Sequence, residues 1–292
     1  MKEGIIVKGI GGFYYIKCGD NVYECRARGI FRKKNIKPLV GDYVKFTLNN
    51  ENSGVIEEIL DRKSELLRPP VANVEHAIIV FAAKNPEPNM ILLDKMLVLG
   101  EVAGLKLTIC INKIDLDENG EIIKKIQSIY KNTGYNIIFS STKNDLGIDD
   151  IKNVLKNKIT VFAGPSGVGK SSILNAVQSN LKLKTGDISR KIKRGKHTTR
   201  HTELLELDFG GWVVDTPGFT SLNIDFIESE KIAECFPEFR KYLDECKFTD
   251  CMHINEPDCK VKEALDNGFI SKQRYENYVS FVKQILENNR RY

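Results

Sequence analysis

The sequence predicts three linked units: a small β-barrel of the OB type over residues 1–66, a doubly wound α/β domain over 67–224 and a helical module over 225–292. Three observations predict this order. Residues 1–66 break into short β-rich runs divided by Gly, Asn and Asp; from about Val74 strand-like and helix-like segments alternate; beyond Asp225 the pattern is helical around a cysteine-rich insert. In the first unit the runs are Gly4–Ile10, Phe13–Lys17, Val22–Ala27, Tyr43–Leu48 and Gly54–Leu60, five strands of the size a small barrel needs. Leu67-Arg68-Pro69-Pro70 punctuates the chain. The second unit reads strand Glu75–Ala83, helix Asn89–Val102, strand Lys106–Ile111, helix Glu118–Tyr130, strand Asn136–Ser140, helix Ile148–Leu155, strand Ile159–Ala163 and helix Gly169–Gln178, then a hairpin of Leu204–Phe209 with Gly211–Val214. A final helix is expected near Ser271–Glu287.

Composition excludes several classes. With 292 residues, 41% hydrophobic and 28% charged, the chain is neither disordered nor fibrous. No apolar run approaches the roughly 20 residues of a bilayer-spanning helix, and the start Met1-Lys2-Glu3-Gly4 lacks the apolar stretch of a secretory signal, so a cytoplasmic protein with no membrane partner is expected. Seven cysteines in a reducing compartment read as core thiols or metal ligands.

The net charge, 44 basic against 39 acidic residues or +5, is mild but unevenly spread. Arg26, Arg28, Arg32, Lys33, Lys34 and Lys37 occur without an acid between them, and Lys182–Arg200 holds eight basic residues against Asp187 alone. Such runs can neutralise phosphates through counterion release, or simply solubilise a surface.

Gly164-Pro165-Ser166-Gly167-Val168-Gly169-Lys170-Ser171 fits G-x-x-x-x-G-K-[ST] between an expected strand and an expected helix. In that setting backbone N–H groups cradle phosphate oxygens, Lys170 reaches the β- and γ-phosphates and the Ser171 hydroxyl ligates Mg²⁺. Asn112-Lys113-Ile114-Asp115 follows another strand, where the Asp115 carboxylate can accept two N–H bonds from the N1/N2 edge of guanine. Adenine would leave that carboxylate unpaired, so the tetrapeptide favours GTP over ATP. Ser140-Ser141-Thr142 is placed to back this loop. Asp215-Thr216-Pro217-Gly218 supplies Asp215 for the Mg²⁺ shell and the Gly218 N–H for the γ-phosphate, and Thr198 or Thr199 would close a switch over the ion.

The base-reading elements precede the phosphate loop, the reverse of the order in Ras-like GTPases. A sheet depends on which strands are neighbours, so the termini can be joined and reopened elsewhere at little cost. One result is that the segment ending at Gly218 runs straight into the C-terminal module. There, Cys246-x4-Cys251-x-His253-x5-Cys259 offers three thiolates and an imidazole, the donor set of a closed, structural, tetrahedral Zn²⁺ site. Cys18, Cys25, Cys110 and Cys235 read as core residues, Cys235 being a conceivable substitute ligand. After Gly218 stands Phe219, which cannot polarise water, so hydrolysis is expected to be slow or to borrow a group; His197 is the candidate for positioning water.

The β-rich N-terminal unit, the permuted order N-K-x-D, G-P-S-G-V-G-K-S-S, H-T-T, D-T-P-G and the Cys/His insert together resemble the bacterial ribosome small-subunit-dependent GTPases, the RsgA/YjeQ family, over essentially the whole chain. The permuted order also occurs in other ribosome-assembly GTPases; the zinc spacing and the barrel carry the finer likeness. The resemblance implies an OB-fold RNA-binding domain that docks on 16S ribosomal RNA, a circularly permuted GTPase domain and a zinc-binding domain. It implies hydrolysis stimulated by the small (30S) subunit late in its maturation and release of a bound assembly factor, in a protein expected to be a monomer. Nucleotide binding maps onto Asn112, Lys113, Ile114 and Asp115 and onto Gly164 through Ser171 and Ser172; zinc maps onto Cys246, Cys251, His253 and Cys259. The base-binding loop departs from the family pattern, having Ser-Ser-Thr where a small residue after Ser is usual. Two other readings remain at this level: a non-hydrolysing guanine-nucleotide-dependent RNA-binding sensor, and a P-loop kinase, which would leave the N-K-I-D loop and the cysteines unexplained.

Overall fold

The structure, a computed structural model, describes residues 1–67, 69–181, 202–215 and 222–289. Strands β1 (Lys2–Ile10), β2 (Phe13–Cys18), β3 (Asn21–Ala27), β4 (Tyr43–Leu48) and β5 (Ser53–Ile59) close into a barrel of order β1-β2-β3-β5-β4, with only β3 and β5 parallel. Alternating apolar positions turn Ile6, Ile16, Cys25, Val44, Phe46 and Ile56 into its core, as the period of two requires. A bulge between Ile6 and Lys8 bends β1 so that it pairs with β4 at one end and β2 at the other.

The basic stretch from Arg26 to Lys37 keeps its described basic side chains exposed but is not a plain loop. It contains the short helix α1 (Gly29–Lys33), whose Phe31 is buried in the barrel core. Arg26 lies 4.5 Å over the Phe13 ring and Arg28 pairs with Glu57 at 2.7 Å, while Lys33, Lys34 and Lys37 face solvent. The loop's far end is clamped by Arg62, which donates to both carboxylate oxygens of the fully buried Asp42 at 2.7 and 2.8 Å and to the Lys37 carbonyl at 2.7 Å.

The punctuation at Leu67–Pro70 becomes a hairpin, β6 (Glu65–Leu67) against β7 (Pro70–Ala72). Its Leu66 and Val71 join the barrel core to that of the next unit, so both lie in one apolar cluster.

That unit holds a six-stranded sheet among the described residues, β8 (His76–Ala82), β9 (Lys106–Asn112), β10 (Asn136–Phe139), β11 (Ile159–Ala163), β12 (Leu204–Glu206) and β13 (Trp212–Val214), in the order β10-β9-β8-β11-β13-β12. All neighbours are parallel except β12 with β13. β8 is buried at every position, as a central parallel strand covered on both faces must be. Ala77, Ile79 and Phe81 face α2 (Met90–Val102) and α3 (Glu121–Tyr130); Ile78, Val80 and Ala82 face α4 (Ile148–Leu155) and α5 (Lys170–Val177). α3 begins three residues later than its hydrophobic pattern suggested, because the Asp117 carboxylate accepts from the N–H groups of Ile122 and Ile123 and fixes the start of the helix.

α2 is apolar nearly all round because it is covered on both sides. Leu93 and Leu97 pack toward the sheet, while Val98 and Leu99 enter a separate cluster with Phe236, Phe239, Tyr278, Phe281 and Ile285 of the C-terminal module. That module consists of a 3₁₀ segment (Ser229–Cys235) and helices α6 (Arg240–Leu243), α7 (Lys260–Asp266) and α8 (Lys272–Asn289). One buried charge of α2, Asp94, meets Arg274 of α8 at 2.7 Å, and Arg274 also bridges both oxygens of Glu238 at 2.7 and 3.0 Å. Tyr130 and Asn277 donate to the two Asp94 oxygens at 2.6 Å each, so the buried carboxylates are satisfied.

Candidate nucleotide site and metal centre

The buried strand β11 delivers the chain into the loop Gly164–Gly169 and then into α5. Two of its glycines are sterically required. Gly164 (φ 138°) lies where a Cβ would fall 2.1 Å from the Val80 carbonyl oxygen, and Gly169 (φ 98°) where one would fall 2.3 Å from Asn112 Nδ2. Val168 anchors the loop in the apolar layer beneath, leaving Pro165 half-buried and Ser166 and Gly167 at the rim. Lys170 Nζ curls back onto the carbonyls of Gly164 and Pro165 at 2.8 and 2.6 Å, and burial pushes its ammonium pKa down to about 8. A bound phosphate chain would replace those carbonyls and favour the charged ammonium further. Ser171 is buried and Ser172 half-buried in the first turn of α5.

The loop after β9 is braced onto this one. Asn112, buried, donates from Nδ2 to the Val168 carbonyl at 2.9 Å. Lys113, in the left-handed region at φ 60°, sends Nζ to the Gly167 carbonyl at 2.6 Å and to that of Asn85. Ile114 opens a 3₁₀ turn and takes the Ser140 carbonyl at 3.2 Å; Asp115, half-buried, accepts from the Ser141 hydroxyl at 2.6 Å. The two serines therefore differ. Ser140 is fully buried and donates to Asn112 Oδ1 at 3.2 Å, so it orients Asn112 from behind, while Ser141 aligns the carboxylate that would read the base.

β13 runs parallel to β11 and ends at Asp215, whose N–H donates to the Glu203 carbonyl at 2.8 Å, at the same end of the sheet as the phosphate loop. Asn112–Asp115, Ser140, Ser141, Gly164–Ser172 and Asp215 thus gather at the carboxyl ends of parallel strands, where ligands bind in such sheets. His197, Thr198, Thr199 and Gly218, with Phe219 and the basic stretch 182–200, lie outside the described residues. Asn85 was not foreseen, since it belongs to no motif and reaches the site only through the turn after β8.

In the C-terminal module the ligand atoms of Cys246, Cys251, His253 and Cys259 lie within 4.8 Å of one another. His253 Nδ1 faces the thiols, 3.5 Å from Cys246 Sγ and 3.4 Å from Cys259 Sγ. Burial pushes the thiols of Cys251 and Cys259 up, so a cation is needed to hold them as thiolates. Glu256 accepts from the N–H groups of Met252, Ile254 and Asn255, and the Tyr275 and Tyr278 hydroxyls donate to the carbonyls of His253 and Met252 at 2.7 Å each. The donor set, its closeness and this backing fit one tetrahedral zinc. Cys235 lies apart from this cluster, buried against the Ile232 and Phe236 layer.

The chain order of these loops is reversed while their places in the sheet are kept: β8, β9 and β10, with the base-reading loops, precede β11, yet β8 lies beside it. A P-loop site so assembled, beside a closed barrel and a Cys₃His module, defines a circularly permuted GTPase. The model of the RsgA GTPase family matches residues 59–225 and that of the RsgA N-terminal domain residues 3–56. The chain belongs to the RsgA family, and it is a GTPase. It is 50% identical over 289 residues to the small ribosomal subunit biogenesis GTPase RsgA of Caldanaerobacter subterraneus, covering 99% of this chain and 97% of that one. To the protein of the same name from Alkaliphilus metalliredigens it is 48% identical over 292 residues, covering 99% and 100%. Among solved structures, YjeQ from Thermotoga maritima superposes with a TM-score of 0.87 at 42% identity, covering 98% of each chain. YloQ, described as a circularly permuted GTPase, gives 0.84 at 41%, covering 99% and 96%.

Proposed function

We propose that this protein hydrolyses GTP to GDP and phosphate in small ribosomal subunit biogenesis, slowly alone and faster on the subunit, and that its cycle helps release an assembly factor. The bracing of the base-reading loop onto the phosphate loop, through Asn112 to Val168 and Lys113 to Gly167, carries the nucleotide reading, because it fixes the distance between base and phosphate sites. The subunit enters through the relatives' name, small ribosomal subunit biogenesis GTPase.

In this reading Asp115 accepts the N1 and N2 hydrogens of guanine, aligned by Ser141. The loop N–H groups and Lys170 hold the phosphates, and the Gly218 N–H meets the γ-phosphate. Ser171, Thr199 and Asp215 would hold the Mg²⁺ that accompanies GTP, and the ion would supply neutralisation of charge on the phosphate oxygens. His197 orients the attacking water because Phe219 cannot, and subunit binding orders Thr198 and Thr199 around it. The exposed Lys33, Lys34 and Lys37 are a cationic surface for 16S ribosomal RNA, and the basic composition of 182–200 suits the same partner. The zinc is structural, and the protein acts as a cytoplasmic monomer.

The test is GTP hydrolysis by the zinc-replete protein with and without small subunits at fixed low salt, with large subunits and ATP as controls. Stimulation by small subunits alone, specific for GTP and lost in His197→Ala, is expected. GTP-dependent subunit binding without stimulation would leave a nucleotide-gated RNA-binding sensor instead.

A further inference from the structure

β12 is an edge strand of the nucleotide-binding sheet, and its free side is covered by the barrel. Glu203 forms an antiparallel bridge with Lys8 of β1, and its carboxylate pairs with Lys8 Nζ at 2.9 Å. Three residues further on, Glu206 pairs with Lys17 of β2, also at 2.9 Å. Between them Leu204 is buried in the cluster that unites the barrel and sheet cores. The opposite side of β12 pairs with β13, and the Glu203 carbonyl takes the N–H of Asp215. The strand thus touches the barrel on one side and the start of the D-T-P-G element on the other; in the chain it begins six and five residues after Thr198 and Thr199.

We propose that Lys8 and Lys17 of the barrel are positioning residues for the stimulation of hydrolysis alone: they hold β12, and with it Asp215, in the register that subunit docking on the barrel stabilises. This rests on the reading of the protein as a subunit-stimulated GTPase. The physical ground is linkage. A strand clasped from both sides cannot shift without breaking either the barrel pairs or the Asp215 bond, so what biases the barrel biases the site, and the converse holds. Each pair is partly exposed and weak alone, so the clasp acts as a bias on the strand's position and not as an anchor of the fold.

The test uses four full-length proteins: wild type, K8E/K17E, E203K/E206K, and the fourfold swap carrying all four changes. Unstimulated hydrolysis and guanine-nucleotide affinity are expected to stay within about twofold of wild type in all of them, because none of the four side chains reaches the nucleotide. Stimulation by saturating small subunits is expected to fall about tenfold in each double variant and to recover to at least about half in the swap, as a reciprocal coupling requires. The swap leaves the barrel acidic, so failure of the swap to recover would mean that the lysines serve RNA directly and would overturn the proposal. E203Q/E206Q leaves the barrel charge untouched and is the gentler check; full stimulation in that variant would also overturn it. Failure of the underlying reading is distinguishable, because it would show as no stimulation of the wild type.

Discussion

At the scale of single residues, the proposed guanine reader is a relay rather than one carboxylate. Ser141 aligns Asp115 with a short hydrogen bond, and removing one such bond is worth about 1 kcal/mol. Ser141→Ala should therefore weaken GTP and GDP binding several-fold and leave ATP binding unchanged, as titration with fluorescent nucleotides would show. Asp115→Asn should cost far more for guanine, on the order of a hundredfold, and improve binding of a xanthine nucleotide, whose 2-oxo group accepts from the new amide. His76 makes a different prediction. It is buried between the hydroxyls of Thr108 and Thr160, at 2.9 and 3.3 Å, and burial, helped by Lys158 and Lys106, holds its pKa down at about 4. The fold favours the neutral ring, so this contribution is complete above the unfolded value near 6.5 and is lost as pH falls toward 4. From about pH 7.5 to about pH 5 the loss should be about 2 kcal/mol, and a His76→Gln protein should lack that part of the slope in urea unfolding.

At the scale of elements, α2 carries the connection between the GTPase sheet and the C-terminal module. Its Asp94 has a buried counter-charge only while Arg274 is in place. Arg274→Met would leave Asp94 and Glu238 buried without their cation and should cost about 3–5 kcal/mol, read by chemical denaturation. Restoring neutrality with Asp94→Asn and Glu238→Gln in that background should return part of it. The zinc knuckle is the other decisive element. The protein should hold about one zinc per chain, and Cys259→Ala or a strong chelator should abolish it and lower the thermal midpoint of the C-terminal module, because the ligand loop between α6 and α7 has little apolar core of its own. Cobalt substitution should give the absorption of a tetrahedral thiolate site.

At the scale of the whole molecule, the barrel and the nucleotide-binding unit share one apolar cluster, so they should unfold together. The chain has a single tryptophan, Trp212 on β13, half-buried against that cluster. Its fluorescence transition should coincide with the loss of far-ultraviolet β signal on heating, and saturating Mg²⁺ and GDP should move both upward by the same amount. Separate transitions would mean that the shared apolar cluster does not couple the two units.

Local chemistry was legible without coordinates wherever a motif must be contiguous. The phosphate loop, the N-K-I-D loop and the Cys/His knuckle each draw their donors from a few adjacent positions, so spacing alone placed them. The strand pattern was legible for the same reason, since a period of two and a buried apolar run such as β8 are properties of short segments. Tertiary structure decided what spacing cannot carry. It buried Phe31, set Arg26 against Phe13 and Arg28 against Glu57, and left Lys33, Lys34 and Lys37 facing solvent. It gave Ser140 and Ser141 different partners, set Asn85 beside Lys113, buried Arg274 between two carboxylates and joined Lys8 to Glu203 across the barrel edge. Each of these links residues far apart in the chain, and only the packing of whole elements brings such groups within hydrogen-bond reach.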